Sequence, residues 1–294
     1  MHQTSRRFVP REELDRLCPE RLAGVALDGL WVAGSLDGLA APAVAVVGTR
    51  SPSDLGRRQA RLLGQELGAA GVCVVSGLAL GIDGAAHEGA LAAGAPTIGV
   101  LGGGHDHFFP SRHRELAGQI VTRGGAVVSP YAPHEPARPY QFLARNGVVA
   151  ALVDAVVVVE AAQRSGALNT ASWAADRSIP VFAFPGDVDR PKVAGCLALI
   201  RDGAILARDA QDVLDGLPTV ARQPRIPRRR QAAGRPDDPP VVAAVLGALA
   251  DGERDADRLA SSLDIAPQLL FPALVELEIG GRIERRSGGF ALAE

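Results

Sequence analysis

Residues Val44–Leu91 read VAVVGTRSPSDLGRRQARLLGQELGAAGVCVVSGLALGIDGAAHEGAL, and this stretch decides the fold. It contains two short apolar runs, Val44–Val47 and Val72–Val75, and each is followed by a small polar loop and a segment with helical periodicity. That order predicts two parallel strands, each leading into a helix. Parallel strands bring their carboxyl ends and the following helix N-termini to one edge of a sheet, where phosphate-bearing ligands bind.

The same alternation continues to about residue 216. Strands are predicted at Ala43–Val47, Val72–Val75, Thr97–Leu101, Ala126–Ser129, Ala155–Val159 and Val181–Phe184. Helices are predicted at Leu55–Ala70, Ile82–Ala93, Arg112–Thr122, Pro139–Leu152, Ala167–Arg177 and Leu197–Asp202. The strands are apolar almost throughout, as strands covered on both faces are. We therefore predict an α/β fold for residues 42–216, a Rossmann-like open parallel sheet with helices on both faces.

Residues 1–41 precede this domain and show a short helical piece, Arg11–Leu17, and an apolar stretch, Leu27–Ala33. We expect this N-terminal extension to pack on the edge of the main domain. Residues 217–240 are rich in Pro and Arg and predict a linker. Contact of its arginines with a polyanion and a plain solvated tether both remain open.

Residues 241–294 predict a small winged-helix domain. Helices are expected at Val241–Ala250, Asp255–Ser262 and Pro267–Ile279, followed by a hairpin over Arg282–Ala293 with its turn at Ser287-Gly288-Gly289. In that fold the third helix normally enters the major groove of DNA. Here it carries Glu276 and Glu278 and no Arg or Lys, which phosphates would repel. We expect a protein-contact or accessory role for this domain.

Composition narrows the class of protein. A net charge of -2 over 294 residues argues against a uniformly basic nucleic-acid coat, although 31 Lys and Arg residues leave room for a local basic groove. Lys192 is the only lysine, and the three cysteines have no metal spacing. The N-terminus lacks an apolar signal region, and no apolar run could span a bilayer. We expect a soluble cytoplasmic protein with no membrane partner, no metal and no cofactor.

The first loop, Gly48-Thr49-Arg50, offers close backbone approach, a hydroxyl and a guanidinium fork for phosphate. A tight turn with a surface arginine is the alternative interpretation. No G-x-G-x-x-G motif stands here, and no G-x-x-x-x-G-K-[ST] run occurs anywhere. The usual dinucleotide site and the P-loop ATPase site are therefore not supported.

The second loop follows Val72–Val75 and contains Ser76 and Gly77. Its glycines favour a nest of backbone amides that could hold an anion. Asp83 is expected to cap the helix that begins there. His87 lies one turn further, without a neighbouring nucleophile or metal partner, and is interpreted as structural. A metal at His105-Asp106-His107 is disfavoured, because adjacent residues converge poorly on one ion.

Later loops add further candidates to the same sheet edge. Phe142 with Arg145 and Asn146 suits single-stranded nucleic acid, whose bases stack and whose phosphates need donors, although a core Phe and a surface Arg are the alternative. Ser165 is a natural N-cap, and Ser165 with Gly166 makes another anion site at a helix start. Lys192 is placed to reach over the same edge. Glu160 ends a strand, and no second carboxylate pairs with it for acid–base chemistry.

These motifs together resemble the DNA-processing protein A family, also called DprA or Smf, over about Pro42 to Leu214. The matching segments are VVGTR (Val46–Arg50), SGLALGIDGAAHEGAL (Ser76–Leu91), TIGVLGGGHDHFFP (Thr97–Pro110), FLARN (Phe142–Asn146), VVVEA (Val157–Ala161), SGALNTA (Ser165–Ala171), Pro185-Gly186 and LIRDGA (Leu199–Ala204). The chain departs from the family pattern at Pro130, at Gly147, where a second arginine is common, and at Leu197.

The resemblance implies a non-enzymatic, dimeric protein that binds incoming single-stranded DNA and helps to load the RecA recombinase during natural transformation. Residue by residue, it implies that Arg50, with Gly48 and Thr49, contacts DNA, as do Phe142, Arg145 and Asn146. Ser76, Gly77, Ser165, Gly166 and Lys192 would line the same pocket.

Two other readings stay open at this stage. Related Rossmann-like enzymes hydrolyse nucleoside monophosphates, but Ser165–Thr170 stands where their catalytic loop carries a glutamate. A nucleotide-sensing module without a DNA role is the other alternative.

Overall fold

A computed structural model of the chain describes residues 6–19, 21–22, 24–217, 238–250, 255–263, 265–280, 282–286 and 289–292. The chain divides into two compact units, residues 1–225 and 226–294. Within the described residues, no helix combines the length and the apolar character needed to cross a membrane. The linker interpretation of 217–240 falls almost wholly outside the described residues, as does the hairpin turn at Ser287 and Gly288.

The first unit consists of the following elements. Its strands are β1 Arg6–Pro10, β2 Gly29–Gly34, β3 Ala43–Val47, β4 Cys73–Ser76, β5 Thr97–Val100, β6 Ala126–Ser129, β7 Ala155–Val158, β8 Val181–Ala183 and β9 Ile205–Leu206. Its helices are α1 Arg11–Leu17, α2 Asp54–Ala69, α3 Ile82–Ala92, α4 Arg114–Thr122, α5 Pro139–Ala151, α6 Gly166–Ala175, α7 Ala194–Arg201 and α8 Ala210–Asp215. The predicted elements of the main domain are confirmed, with ends shifted by at most three residues.

These strands form one sheet in the order β1-β2-β6-β5-β4-β3-β7-β8-β9. The strands from β6 to β9 in that order are parallel, whereas β1 and β2 pair antiparallel. The chain builds outward from β3 to β6 and then returns to place β7 on the other side of β3. The carboxyl ends of β3 and β7 therefore flank the switch point at which open parallel sheets bind ligands.

Both faces of the sheet are covered, which explains the continuous apolar runs. In β3, Ala43, Ala45 and Val47 belong to one buried cluster, and Val44 and Val46 belong to another. Alternate side chains of a strand point to opposite faces, so the two clusters are the cores above and below the sheet.

The parallel sheet predicted for residues 42–216 is extended at one edge by two antiparallel strands. β1 and β2 were not predicted as strands, and they join through antiparallel pairing of Trp31 with Ser129 and Phe8 with Trp31. The short β9 was also missed. The fold class is an α/β fold with a largely parallel sheet.

The second unit holds α9 Pro240–Ala250, α10 Ala256–Leu263, α11 Pro267–Ile279, β10 Ile283–Arg286 and β11 Gly289–Leu292. Its helices and its antiparallel hairpin share a separate core that includes Leu246, Leu259 and Phe290. Three helices and a hairpin are the winged-helix arrangement predicted from the sequence.

Candidate nucleic-acid interface

A cleft of about 340 Å³ opens at the carboxyl edge of the sheet, at the switch point between β3 and β7. Loops after three strands, one side of α5 and the start of α6 enclose it. Its lining consists of Val47, Gly48, Thr49, Arg50, Gly77, Ala79, Asp83, Phe142, Leu143, Arg145, Asn146, Val149, Ala162, Arg164, Ser165, Gly166, Ala167 and Thr170. The structure thus brings most of the residues proposed from the sequence into one place.

The loop after β3 is held on both sides by backbone contacts. The Thr49 amide donates to the Glu160 carbonyl at 2.7 Å, and the Thr49 carbonyl accepts from the Ile82 amide at 3.2 Å. Gly81 packs so closely on this loop that a Cβ there would lie 2.4 Å from the Thr49 carbonyl oxygen, and its φ of +88° also favours glycine. Arg50 is therefore an exposed side chain on a fixed backbone.

Arg50 belongs to an aromatic–cationic stack at the mouth of the cleft, which we define as Arg50, Phe142 and Phe109. The Arg50 guanidinium carbon lies 5.9 Å from the centroid of the Phe142 ring. The Phe142 and Phe109 centroids are 5.8 Å apart in an edge-to-face arrangement, and Phe109 is 56% exposed. The three side chains place two aromatic rings beside a positive charge, which is a suitable site for a base and its phosphate.

Arg145 occupies the floor of the cleft and is only 4% exposed. Its Nη1 donates to the carbonyl oxygens of Gly77 and Val100, which joins the ends of β4 and β5. Burial lowers the pKa of Arg145 to about 10, partly offset by the carboxylate of Asp83. Arg145 remains protonated at neutral pH, and its Nη1 is engaged by the two carbonyl groups, whereas its buried Nε has no hydrogen-bond partner among the described residues.

Asp83 occupies the anion nest predicted in the second loop. Its Oδ2 accepts from the backbone amides of Gly77 at 3.0 Å and Ala79 at 3.3 Å. Burial raises the pKa of Asp83, while Arg145 and these amides oppose the shift. Asp83 binds free amides, as expected, but they belong to the loop before α3, and the N-cap of α3 is Gly81, which has no side chain to accept a hydrogen bond. A carboxylate of the protein itself holds the nest, so a phosphate must bind nearer the rim.

The far wall of the cleft is formed where α5 meets α6. The Asn146 amide nitrogen donates to the Gly166 carbonyl and to Asn169 Oδ1, both at 3.2 Å. Ser165 is the N-cap of α6, as predicted, and its hydroxyl accepts from the Ala167 amide at 3.3 Å. Gly166 is exposed, with open space where a Cβ would stand.

Two predicted pocket residues do not line the cleft. Ser76 is fully buried in β4, and its hydroxyl donates to the Val46 carbonyl at 2.7 Å. Lys192 is exposed, and its Nζ donates to the Ser51 carbonyl at 2.8 Å, which places it against the loop that carries Arg50. Ser76 supports the sheet, whereas Lys192 lies just outside the cleft.

The polar residues weighed for catalysis are engaged within the fold. The Glu160 carboxylate accepts from the Ser53 amide at 2.9 Å and the Ser53 hydroxyl at 2.5 Å, at the start of α2. His87 is fully buried with Nδ1 2.8 Å from Thr97 Oγ1, and burial lowers its pKa to about 3. His105 is buried and donates from Nε2 to the Val127 carbonyl. Among the described residues, no group of three His, Cys, Asp or Glu side chains could hold a metal.

Sequence reasoning missed two residues that the structure places at the cleft. Arg164 is exposed on the lining, directly before Ser165, and makes no ion pair among the described residues. Its position in the loop after β7 was an available signal. Phe109 reaches the stack from the loop after β5, and only the tertiary fold brings it to Phe142.

A largely parallel α/β domain with a cationic, aromatic-rimmed cleft, together with a winged helix, defines a class of nucleic-acid-associated proteins. The model of the DNA recombination-mediator protein A family matches residues 18–218, and that of the DprA winged helix domain matches residues 229–289. The chain belongs to the DprA/Smf family.

Proteins with similar sequences support the assignment to this family. The chain is 39% identical over 218 residues to Protein Smf of Escherichia coli, covering 74% of this chain and 58% of that protein. It is 38% identical over 274 residues to a putative DNA processing protein DprA of Mycobacterium tuberculosis, covering 88% of this chain and 67% of that one. The chain thus spans little more than half the length of the first of these relatives.

Two solved structures share the fold. DNA processing protein A of Streptococcus pneumoniae superposes with a TM-score of 0.65 at 38% identity, covering 74% of this chain and 75% of that one. DNA processing protein A of Helicobacter pylori, whose structure concerns its single-stranded DNA binding mode, gives 0.63 at 26% identity, covering 72% of this chain and 94% of that one.

Proposed function

We propose that this protein binds single-stranded DNA in the cleft between β3 and β7 and acts as a recombination mediator. The observation that carries the proposal is the stack at the mouth of that cleft, in which the exposed Arg50 and Phe109 flank the half-buried Phe142. It combines a cation for the phosphate backbone of the strand with aromatic rings for its bases. A protein that binds single strands without sequence preference uses these two kinds of group.

In this proposal different side chains bind different parts of the strand. Arg50 and Arg164 hold phosphates at the rim, and Lys192 adds charge beside them. Phe142 and Phe109 receive a base by stacking. Arg145 positions the floor rather than contacting the backbone of the strand, because its Nη1 is already used by Gly77 and Val100.

The residues that line the cleft support a non-enzymatic role. Asp83 is the only carboxylate among the described residues of the cleft, and the loop amides already occupy it. Hydrolysis of nucleoside monophosphates needs an acid or base at the ligand. Glu160 and His87, the candidates for that role, are held at the start of α2 and in the core.

Three finer assignments complete the proposal. The bound strand is passed to the RecA recombinase in natural transformation, the protein acts as a homodimer, and it works in the cytoplasm, where RecA and DNA are found. Membership of the DNA recombination-mediator protein A family supports the recombination assignment. RecA loading predicts faster nucleation of RecA filaments on a strand coated with single-strand-binding protein, measured by RecA ATP hydrolysis. An unchanged lag would contradict it.

Titration of a labelled oligonucleotide tests the binding proposal. We expect Arg50→Ala to weaken binding about tenfold for every sequence alike, because a charge-assisted phosphate contact is lost. The salt slope should fall by about 0.7, the increment for one phosphate contact on a single strand. Arg58→Ala removes an equal charge from the exposed surface of α2 and is the matched control. Salt-insensitive binding, or equal losses in both variants, would refute the proposal.

A further inference from the structure

Trp173 lies on α6 with one ring face packed against the backbone of α5. A Cβ built on Gly147 would lie 3.2 Å from both Cδ2 and Cε2 of the Trp173 indole. These two atoms are the carbons shared by the two fused rings, so other ring atoms surround them within the plane of the indole. A close approach to both carbons comes from above that plane, and Gly147 therefore lies over the ring face. The indole therefore rests on the helix backbone at a position where any other residue would crowd it.

A large part of Trp173 nevertheless faces solvent. Trp173 is 43% exposed, although a tryptophan usually buries most of its large apolar surface. With one face seated on Gly147, the exposed area belongs to the opposite face and the outer edge. A ring that is fixed on one face and exposed on the other loses little conformational entropy when it stacks on a ligand.

This ring continues the wall of the DNA cleft. Asn146, which lines the cleft, contacts Asn169 of α6, and the next residue along α5, Gly147, contacts Trp173. Asn169 and Trp173 are four residues apart on one face of α6. The lining residue Leu143, one turn before Gly147 on α5, is also exposed, so no bulky polar group separates cleft from indole on this helix.

We propose that Trp173 is a second base-stacking site, which receives a nucleobase of single-stranded DNA as the strand leaves the cleft along the α5–α6 surface. The inference rests on the proposed function. It extends the binding site from the cleft onto the surface formed by α5 and α6. It gives the strand one stacking position at the stack of Arg50, Phe142 and Phe109 and another at Trp173. Since every base has an aromatic face, this second site adds affinity without sequence preference.

Tryptophan emission provides a direct readout, because the chain contains only Trp31 and Trp173. Trp31 lies on β2 against Phe8, away from the cleft lining, so Trp31→Phe leaves Trp173 as the sole indole. In that background we expect an oligothymidylate to quench the emission of Trp173. A strand of abasic sites with the same number of phosphates should cause little quenching. If Trp31→Phe does not fold, fluorine NMR of the 5-fluorotryptophan-labelled wild type separates the two indoles.

Affinity is measured in parallel by fluorescence anisotropy. Trp173→Leu keeps an apolar contact on Gly147 but removes the aromatic face, and we expect it to bind an oligothymidylate about tenfold more weakly, while Trp173→Phe retains most of the affinity. Both variants should bind the abasic strand as the wild type does. Circular dichroism confirms that each variant is folded.

The outcomes separate this inference from the function on which it rests. If the wild type binds the oligothymidylate but Trp173 emission stays constant, or Trp173→Leu binds normally, the second stacking site is wrong and the cleft proposal stands. Equal losses for the abasic strand would assign Trp173 a structural role and also overturn it. If no strand binds to the folded wild type, both proposals fail.

Discussion

Arg50 and Arg145 line the same cleft but have opposite roles, because one is exposed and the other is buried. Arg50 lies at the mouth over the Phe142 ring, without an ion pair among the described residues. Arg145 lies beneath, with hydrogen bonds to Gly77 and Val100 and with Asp83 as its counter-charge. An exposed cation can exchange water for phosphate at little cost, whereas a buried one holds the fold that shapes the site.

Substituting each arginine by methionine should separate these roles. Arg145→Met leaves Asp83 buried without its cation and frees two carbonyl groups, so we expect a loss of about 3 kcal/mol in unfolding free energy. Arg50→Met should change stability by less than about 0.5 kcal/mol, because the side chain is exposed. Urea unfolding followed by tryptophan fluorescence measures both. A stable Arg145→Met protein would contradict the role given to the cleft floor.

The burial of His87 predicts how stability depends on pH. Thr97 Oγ1 donates to the Val74 carbonyl, so His87 Nδ1 must carry the proton that it shares with Thr97, and Nε2 has no hydrogen-bond partner among the described residues. Because burial lowers its pKa from 6.5 to about 3, the unfolded chain binds more protons than the folded one between these values. Stability from this group is present above pH 6.5 and is lost as the pH falls towards 3.

We expect the unfolding free energy to fall by up to about 1.4 kcal/mol per pH unit from His87 in that window. His87→Gln should show a shallower slope, whatever its absolute stability. The buried His105, whose pKa is also lowered, leaves a residual slope in both proteins. His134→Gln, which removes an exposed imidazole, is the control. Parallel curves for His87→Gln and wild type would contradict the assignment.

Single residues could be predicted from the sequence only when their neighbours in the chain decide their role. Arg50 follows a strand directly, so its place at the sheet edge was predictable. The burial of Arg145, and the carboxylate of Asp83 in the amide nest, depend on β4, β5 and α5 meeting in space. Ser76 looked like a loop residue because its strand ends one position later than its apolar run.

Among the elements, α2 and α3 pack at very close range, and two glycines make this possible. A Cβ at Gly64 of α2 would lie 2.2 Å from the Ala86 carbonyl oxygen, and one at Gly89 of α3 would lie 2.0 Å from the Arg61 carbonyl oxygen. Both contacts are with backbone, which cannot move aside as a flexible side chain would. The two helices therefore pack backbone to backbone on one face of the sheet.

Gly89→Ala should lower the unfolding free energy by about 2 kcal/mol or more, since the added methyl group must push the helices apart. Gly118→Ala in α4 is the matched control, because a Cβ there meets nothing within 4 Å. That change should stabilise the protein by about 0.5–1 kcal/mol through helix propensity. Denaturant midpoints measure both, and a Gly89→Ala protein as stable as Gly118→Ala would contradict the close packing.

Elements were predictable where local pattern and tertiary environment agree. The parallel strands are apolar because both faces are covered, and the helices between them carry a clear apolar stripe. β1 fails this test, since only Val9 of its five residues is buried. It forms a strand because it pairs with the free edge of β2. The sequence alone does not show that this edge is available. β9 has two residues, both exposed, and gives no pattern at all.

In the proposed function, strand binding belongs to the first unit. Every residue that lines the cleft lies in the first unit, and the second unit has its own core. Helix α11 exposes Leu269, Phe271 and Val275 and contains no Arg or Lys. A helix with this surface gives phosphates nothing to bind, so strand affinity should reside in the first unit.

A truncated protein ending at residue 237 should therefore bind an oligonucleotide within about twofold of the full chain and with the same salt slope. Circular dichroism typical of an α/β fold, cooperative unfolding and Arg50-dependent binding would establish that the fragment is folded. A second truncation at residue 220 also removes six arginines between residues 222 and 235. Its salt slope counts how many of them reach phosphate, at about 0.7 per contact. If instead the loss of residues 238–294 alone weakens binding tenfold, the winged helix contacts the strand despite its acidic third helix, and the cleft is only part of the interface.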